Sequence, residues 1–320
     1  NLSNNLCSLV PGEDRLAVTV IVDFDENAVI TGKRYARSVI RSHHRFTYTT
    51  VKEIVIDKNP GTIKAHPDFT GLLDDMAELA EKLRARRRRR GSIDFCIPEA
   101  HIDIDDSGKV AAITKSERNF AHQIIEEFML TANEAVARTF SDAEHDGLFR
   151  IHEEPNPEKI SDFIKFTQSL GLSLNQPSIE PEWFSHVIEQ AKGSPHEYLI
   201  NNLLLRAMQQ ARYSPENAGH FGLASEDYMH FTSTIRRYPD LVVHRQLCRL
   251  IEKTSAKRSS KNTDRGSIRT MADMGLHLSE RERIAISSER DIGDRLKRQF
   301  LSDKIGETFR AIISGGSDTL

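Results

Sequence analysis

The sequence predicts a mixed α/β (α+β) fold, in which strands dominate the first part of the chain and helices the rest. Residues 15–32 alternate apolar and polar side chains around an Asp-Glu-Asn turn, which is typical of a β-hairpin. From residue 117 onward, apolar side chains recur mainly at helical spacing. The composition agrees, because 38% hydrophobic and 28% charged residues are typical of a soluble globular protein and not of a disordered chain.

The remaining elements follow in order along the chain. Residues 34–48 continue with strand-like and aromatic side chains, and residues 70–90 carry apolar side chains at helical spacing. A second hairpin turns at residues 105–108, and residues 117–140 form the strongest predicted helix. Proline-rich loops set off a helical lobe of about 155–195. The later helices are predicted over residues 157–171, 180–192, 195–213, 239–253 and 278–302.

The charge balance and the cysteines exclude several classes of protein. With 44 basic against 47 acidic residues, the net charge of −3 gives no overall indication of a nucleic-acid partner. No apolar run approaches the roughly 20 residues that a membrane helix needs, so no membrane partner is expected. Cys7, Cys96 and Cys248 lie far apart without a CxxC pair. This spacing excludes a disulfide framework and a zinc ribbon, and it favours a reducing, cytoplasmic location.

One local concentration of charge stands out. Residues 82–90 read KLRARRRRR, with seven cations in nine positions at the end of a predicted helix. Cations at a helix C-terminus suit the negative end of the helix dipole, so the run is interpreted either as a solvated helix end or as a patch that attracts phosphate. The charges alone do not decide between these two interpretations.

The two ends of the chain lead us to expect a piece of a longer protein. The chain starts at Asn1 without a methionine or a signal peptide. It stops after RAIISGGSDTL, a strand pattern followed by a glycine-rich turn with nothing to pair with. We therefore expect part of the protein's chemistry to lie outside this sequence.

The most distinctive segment is residues 217–245, NAGHFGLASEDYMHFTSTIRRYPDLVVHR. Pro239 suits the first turn of a helix, so the TSTIRRY stretch leads into a helix N-terminus with free N–H groups and a positive dipole end. Arg236 and Arg237 at that position favour a phosphate pocket, because each guanidinium donates two parallel hydrogen bonds. The alternative is that these arginines pair with a carboxylate such as Asp240.

This segment resembles the signature of the ribonuclease II / ribonuclease R (RNB) family of exoribonucleases, and within it most of all the bacterial ribonuclease R type. Matching blocks occur in the same order over nearly the whole chain. They are LSNNLCSLVPGEDRLA (2–17), RFTYTTV (45–51), AHQIIEEFMLTANEAVAR (121–138), LFRIHEEP (148–155) and LLRAMQQARYSPENAGHFGLA (204–224).

The resemblance implies a processive, hydrolytic 3′→5′ exoribonuclease that acts on single-stranded RNA, uses Mg²⁺ and releases nucleoside 5′-monophosphates in RNA degradation. It places the metal in a DxxxxxDxDD aspartate cluster upstream of Asn1. We therefore expect the Mg²⁺ ligands to lie mainly outside this chain and the chain alone to be inactive. The alternative is a non-catalytic RNB-like scaffold that binds RNA. We expect a monomer in either case.

The resemblance also divides the chain into domains. Residues 1–303 correspond to the larger C-terminal part of an RNB catalytic domain whose N-terminal part is missing. Residues 304–320 correspond to the start of a truncated S1-type RNA-binding domain. The cold-shock barrels that precede the catalytic domain in the family are also absent from the sequence.

Site residues carry over from the resemblance one at a time. Arg236 corresponds to the arginine that binds the phosphate at the cleavage site, with Arg237 and Tyr238 beside it as RNA-binding residues. Tyr48 corresponds to a tyrosine that contacts the terminal nucleotides, and we expect it to line one narrow tunnel with Arg236. Its alternative is a strand aromatic packed in the core. Phe95, in a predicted GSIDF strand, stacks on a base or, alternatively, packs in the core.

The helix at 117–140 distinguishes between two adjacent glutamates. At ~100° per residue, Glu126 falls at one edge of the apolar arc together with His122 and Asn133, whereas Glu127 falls near the opposite edge. The family has a functional glutamate in this IEE block. We assign the role to Glu126, next to the terminal nucleotides, and the alternative is that both glutamates are solvated.

Two further patterns are assigned structural roles. Asp103, Asp105 and Asp106 reproduce a D-x-D-D spacing that suits hard cations, but they precede Ser-Gly in a hairpin turn, where aspartate is favoured locally. The histidines lack the spacing of a metal site and are interpreted as structural hydrogen-bonding residues. They are His152, His220, His230 and His244.

One departure from the family lies in the arginine block. Thr234 replaces the proline that usually precedes Ile-Arg-Arg. Proline fixes φ and threonine does not, so we expect the loop that carries Arg236 to be held less firmly by its own backbone.

Overall fold

The computed structural model describes residues 2–95, 100–116, 118–171, 174, 178–255, 270–302, 304–309 and 311. Both helices and strands occur along the chain, so the predicted α/β (mixed α+β) class is confirmed. The elements are β1 (Asp14–Phe24), β2 (Ile30–Arg41), α1 (Tyr48–Val55), α2 (Pro60–Ala65), α3 (Pro67–Arg89), β3 (Ala100–Ile104), β4 (Val110–Lys115), α4 (Phe120–Asp142), β5 (Phe149–Ile151), α5 (Pro157–Ser169), α6 (Pro181–Ala191), α7 (Glu197–Ala207), β6 (Arg212–Ser214), α8 (Tyr238–Ser255) and α9 (Met271–Ser302).

The strands pair as three antiparallel two-stranded sheets, β1–β2, β3–β4 and β5–β6. Both predicted hairpins are confirmed, and an aspartate closes each of their turns. Asp25 Oδ1 accepts hydrogen bonds from the amides of Asn27 and Val29 at 2.9 and 2.7 Å. Asp105 Oδ1 accepts from the amides of Ser107 and Lys109 at 2.9 and 3.0 Å. The aspartates therefore act as turn residues, as their positions predict.

The chain divides into two compact units. The first comprises Asn1–Arg90, Arg118–His152 and Ala211–Leu278. The second comprises Gly91–Glu117, Glu153–Gln210 and Ser279–Leu320, and it contains the predicted helical lobe of about 155–195. The boundary predicted at residue 303 stays a prediction.

The core of the first unit is built around the second half of α4. Its buried side chains pack against β5 and against α8. Gly147 lies close to Met229 and Phe140 of this core, where a Cβ atom would clash with Cε of Met229 and lie 2.9 Å from the Phe140 ring, so only glycine fits without displacement. The buried side chains of this core are Val136, Ala137, Phe140, Leu148, Phe149, Ile151, Tyr213, Met229, Phe231, Val242, Val243 and Leu247.

The segment that was expected to continue as a strand to residue 48 is the main correction to the predicted elements. β2 ends at Arg41, and α1 begins at Tyr48. Thr47 is extended, with φ −92° and ψ 157°, and its hydroxyl accepts a hydrogen bond from the Thr50 amide at 3.1 Å. A threonine in this conformation caps a helix, so Tyr48 is the first helical residue and not a strand residue.

Three other boundaries differ from the prediction. GSIDF is not a strand, because residues 92–95 have no regular structure and β3 begins only at Ala100. The helix expected to reach residue 213 ends at Ala207, and residues 212–214 form β6 instead. α9 starts at Met271, where the Thr270 hydroxyl caps the Asp273 amide at 3.1 Å. None of the described helices is both long and apolar enough to cross a membrane.

The basic run at the end of α3 is largely tied to other elements of the first unit. Arg86 donates to the Ala28 carbonyl, Arg87 pairs with Glu127 at 2.7 Å, and Arg90 pairs with Glu134 at 2.7 Å. Both glutamates belong to α4. Two cations of the run, Arg87 and Arg90, therefore join α3 to α4, a role that neither interpretation of the charge run anticipated.

Candidate nucleic-acid interface

An open groove of about 1010 Å³ lies within the first unit. One wall is formed by residues 6–9 and β1, and the other by residues 232–236 and α8. The one acidic side chain among the described lining residues, Glu252, pairs with Arg37 at 3.1 Å. The other lining arginines have no acidic counterpart in the lining, so the groove carries an excess of positive charge, which favours anions such as phosphate. They are Arg236, Arg245 and Arg249.

Arg236 lies in the short loop before α8 and lines the groove. Its side chain is exposed, and its guanidinium makes no hydrogen bond or ion pair with any residue that the structure describes. The backbone is ordered, since the Arg236 amide donates to the Ser233 carbonyl at 3.3 Å. An exposed guanidinium on a closed turn is available for an anion, which is the arrangement that the sequence predicts for phosphate binding.

Arg237 pairs with Asp240, which is the alternative to phosphate binding that the sequence left open. Its Nη2 donates to Asp240 Oδ1 at 2.9 Å, and its side chain is 18% exposed against 0% for Asp240. This guanidinium already neutralises a buried carboxylate. It is therefore less available to an anion than the guanidinium of Arg236. Its assignment to RNA binding stays a prediction.

The segment before the arginines is anchored at Phe231. The Phe231 amide donates to Asn133 Oδ1 at 3.0 Å, and Asn133 is 2% exposed on α4. His244 Nε2 donates to the Phe231 carbonyl at 2.8 Å, and its ring stacks on the Phe231 ring with centroids 4.1 Å apart. Sequence reasoning placed Asn133 beside Glu126 on α4 and did not find this role, because its partner lies 98 positions away.

Tyr238 is the first residue of α8, and its ring is 49% exposed. The Arg245 guanidinium lies 5.9 Å from the ring centroid, within cation–π range. Tyr238 thus extends the exposed surface next to Arg236, although its role in RNA binding stays a prediction.

Tyr48 is neither buried nor part of the groove lining. It is 45% exposed, and its ring stacks on His122 at 3.9 Å with an interplanar angle of 20°. The alternative of a core-packed strand aromatic is therefore wrong, because the Thr47 cap directs the chain into a helix there. Tyr48 is not among the residues that line the groove of Arg236. The narrow tunnel that was expected to contain both residues stays a prediction.

The two adjacent glutamates of α4 have different surroundings. Glu127 is 3% exposed, and the Arg87 guanidinium donates to both of its carboxylate oxygens at 2.7–3.2 Å. Glu126 is partly exposed, with 40% of its side chain accessible, and it pairs with Arg118 at 2.5 Å. The alternative that both are solvated is wrong, because Glu127 is buried. Glu126 lies one helical turn after His122, so α4 brings it close to the stacked Tyr48 ring.

Phe95 lies in the second unit, in an irregular segment, and it is half-buried. The strand expected there is wrong, so the pleat of a sheet does not set the direction of this ring. Both roles considered for Phe95 stay predictions.

The described residues do not form a site for a metal ion. They contain no group of three or more His, Cys, Asp or Glu side chains that would hold one. Asp105 is occupied as a turn acceptor, and Asp103 pairs with His101 at 3.1 Å.

The histidines are structural hydrogen-bonding residues, as the sequence predicts. His152 Nδ1 accepts from the Gly222 amide at 2.8 Å, and His230 Nδ1 shares a hydrogen bond with the Tyr213 hydroxyl at 2.8 Å. Burial, reinforced by Arg237 and Arg150, lowers the pKa of His230 to about 2. Burial, reinforced by His152 and Arg150, lowers the pKa of His220 to about 3. Both rings are therefore neutral at ordinary pH.

Taken with the fold, a positive groove ending at an arginine before a helix N-terminus is typical of a protein that binds nucleic acid through its phosphates. The RNB domain matches residues 1–253. The chain therefore belongs to the RNB family, which confirms the resemblance drawn from its sequence blocks.

Relatives and solved structures agree with this assignment. Ribonuclease R of Aquifex aeolicus is 42% identical over 315 residues, which cover 98% of this chain and 44% of that protein. Mycoplasma genitalium RNase R, solved in complex with ribose methylated single-stranded RNA, has a TM-score of 0.87 and 28% identity over 99% of this chain and 49% of that one. The chain thus spans about half or less of the length of these relatives.

A third comparison shows the fold alone. Yeast Ssd1, described as a pseudonuclease, has a TM-score of 0.64 at 20% identity, over 87% of this chain and 34% of that one. The RNB fold therefore occurs both in proteins named as ribonucleases and in one named as a pseudonuclease.

Proposed function

We propose that the protein is a 3′→5′ exoribonuclease that hydrolyses single-stranded RNA processively to nucleoside 5′-monophosphates and so degrades RNA. The observation that carries the proposal is the exposed Arg236 guanidinium in a positive groove, on a chain of the RNB family. The relatives named Ribonuclease R support it, and so does the single-stranded RNA in the Mycoplasma genitalium complex.

Each site residue has a distinct part in this proposal. Arg236 holds the phosphate at the cleavage site, where a guanidinium stabilises the charge that develops on the phosphoryl oxygens. Tyr48, stacked on His122, contacts the terminal nucleotides, and Glu126 accepts a hydrogen bond from the sugar region next to them. Arg237, Tyr238 and Phe95 complete the RNA-binding set.

Magnesium belongs to the proposal as the cofactor of the whole protein. The residues that the structure describes do not fit it, because they offer no cluster of three ligands. The resemblance places the ligands upstream of Asn1, so no step through the metal is derived from this chain. We accordingly expect this chain by itself to bind RNA without shortening it.

The proposal also includes the partner, the oligomeric state and the location of the protein. Single-stranded RNA is the partner, and we infer a monomer that works in the cytoplasm, where the exposed thiol of Cys7 stays reduced.

The test is cleavage of a 5′-labelled single-stranded oligoribonucleotide with Mg²⁺ by the full-length natural protein. We expect progressive shortening from the 3′ end, and Arg236→Ala lowers kcat/KM by about 10²–10³-fold, as removal of one charge-stabilising donor does elsewhere. Arg249→Ala is the matched control, because it removes an exposed groove cation further along α8. It raises KM slightly and leaves kcat unchanged, since a general phosphate attraction is lost.

Two outcomes contradict the proposal. A full-length protein that binds the RNA without shortening it favours the non-catalytic scaffold. Shortening by this chain alone contradicts the placement of the metal ligands upstream and revives Asp103, Asp105 and Asp106 as candidates.

A further inference from the structure

A buried carboxylate closes the loop that carries Arg236. Asp240 lies in the first turn of α8 and is 0% exposed. Its Oδ1 accepts two hydrogen bonds, from the Ser233 amide at 2.7 Å and from Arg237 Nη2 at 2.9 Å. Its other oxygen, Oδ2, is buried and accepts no hydrogen bond from the described residues. Each of the two bonds to Oδ1 is therefore costly to lose.

Ser233 donates its amide N–H to Asp240, and its carbonyl closes the turn that contains Arg236. The Ser233 carbonyl accepts from the amides of Arg236 at 3.3 Å and Arg237 at 3.1 Å. A continuous path of hydrogen bonds thus runs from the Asp240 carboxylate through the Ser233 peptide to the backbone of Arg236.

The loop needs this constraint because its sequence supplies little of its own. Residues 232–237 contain no proline, so no ring fixes φ anywhere in the loop. The segment before Arg236 is nevertheless anchored twice, at Phe231 by Asn133 and His244, and at Ser233 by Asp240. These hydrogen bonds hold a backbone that no proline ring restrains.

We infer that Asp240 is a positioning residue, which fixes the guanidinium of Arg236 where the scissile phosphate binds. Asp240 does not touch the RNA and acts through the Ser233 turn. The inference rests on the proposed function, in which Arg236 binds that phosphate.

A double-mutant cycle on the full-length protein tests it, with Asp240→Asn, Arg236→Ala and the pair of substitutions. With Arg236 present, we expect Asp240→Asn to lower kcat by about 10–100-fold, because a misplacement of about 1 Å costs up to about 10²-fold. With alanine at position 236 there is no guanidinium left to misplace, so the same change lowers kcat by less than about threefold. A purely structural role would lower the rate by the same factor in both backgrounds and would overturn the inference.

Two further variants sharpen the cycle. Asp227→Asn is the matched control, because Asp227 is also a buried carboxylate, 7% exposed, that binds Arg138 at 3.1 Å and Asn217 at 2.7 Å away from the loop. Its effect is expected to be equal in both backgrounds. Thr234→Pro added to Asp240→Asn is expected to restore activity severalfold by fixing the loop independently, and lack of any rescue contradicts the inference.

Separate experiments measure whether each variant folds and whether it shortens RNA. Hydrogen exchange at the α4 amides shows whether Asp240→Asn folds, and if it does not, Asp240→Glu takes its place in the cycle, since it keeps the charge opposite Arg237 but is one methylene longer. In the folded variant, faster exchange at the Ser233, Arg236 and Arg237 amides is expected. A wild-type protein that fails to shorten RNA refutes the proposed function, whereas a shortening wild type with equal factors in both backgrounds refutes this inference alone.

Discussion

Two regions of the first unit each carry a pair of adjacent like charges. In α4 they are Glu126 and Glu127, and before α8 they are Arg236 and Arg237. In both regions one member pairs with a buried residue of opposite charge, and the other is at least partly exposed. The two regions therefore combine the same elements, one charge that stabilises the fold and a neighbour that faces solvent.

The difference lies in the exposed member. Glu126 is paired with Arg118 at 2.5 Å, so the exposed face of α4 is neutral at this point. Arg236 has no such partner among the described residues and lines a groove rich in arginine. The loop before α8 therefore presents the Arg236 guanidinium to the groove, whereas the Glu126 carboxylate is already held by Arg118.

The largest effect expected from this comparison is on stability and comes from Arg87→Ala. The change leaves Glu127 buried without its guanidinium, and breaking a buried ion pair on one side costs about 3–5 kcal/mol. Arg90→Ala breaks the Glu134 pair, whose arginine is 42% exposed, and costs about 0–1 kcal/mol. Hydrogen exchange at the α4 amides in increasing urea measures both free energies.

A second probe shows which unit responds. Trp183 is the one tryptophan of the chain and lies in the second unit, so its fluorescence reports on that unit. We expect Arg87→Ala to leave the fluorescence unchanged at urea concentrations where α4 already exchanges. Equal costs for Arg87→Ala and Arg90→Ala would remove the distinction between buried and exposed pairs.

Local patterns were sufficient for much of the fold, and they singled out Arg236 as a candidate site residue. The alternation of β1 and β2, the helical spacing of α4, and proline at the start of α8 are local signals, and each led to a confirmed element. The arginines before α8 were found because helix N-termini favour anions, a rule that needs no knowledge of distant residues.

The parts that sequence reasoning missed depend on distant partners or on single residues. Glu127 is buried because Arg87, 40 positions earlier, reaches it, and nothing in the α4 pattern identifies that partner. β5 and β6 have three residues each, too few for a period to be visible. One capping hydroxyl, that of Thr47, starts α1 within a segment rich in β-branched and aromatic residues.

The next effect concerns activity on the α4 side of the comparison. In the full-length protein, Glu126→Ala is expected to slow RNA cleavage by about 10–100-fold, because a hydrogen bond to a charged group contributes about 1.5–3 kcal/mol. Glu127→Ala acts through stability instead, so below its unfolding temperature the remaining folded enzyme keeps a near-normal kcat. Cleavage rates normalised to the folded fraction measure the difference, and equal effects of the two substitutions would contradict the assignment of Glu126.

The smallest effect tests the burial of a histidine on the loop side of the comparison. His230 has a pKa of about 2 in the folded protein because of burial and then of Arg237 and Arg150, with His220 and Arg236 adding to it. An unfolded histidine titrates near 6.5, so between about pH 7.5 and pH 5.5 the unfolded chain takes up a proton that the folded chain does not. The free energy of unfolding therefore falls as the pH falls, by roughly 1.4 kcal/mol for this histidine.

His230→Gln is expected to remove that part of the acid sensitivity, whereas His101→Gln, an exposed histidine of the second unit, leaves it unchanged. Urea unfolding followed by exchange at the α4 amides at the two pH values gives the comparison. A pH dependence that survives His230→Gln in full would mean that the folded protein tolerates a charged His230. Because burial is the first cause of the low pKa, His230 would then have to be more accessible to water than the structure shows.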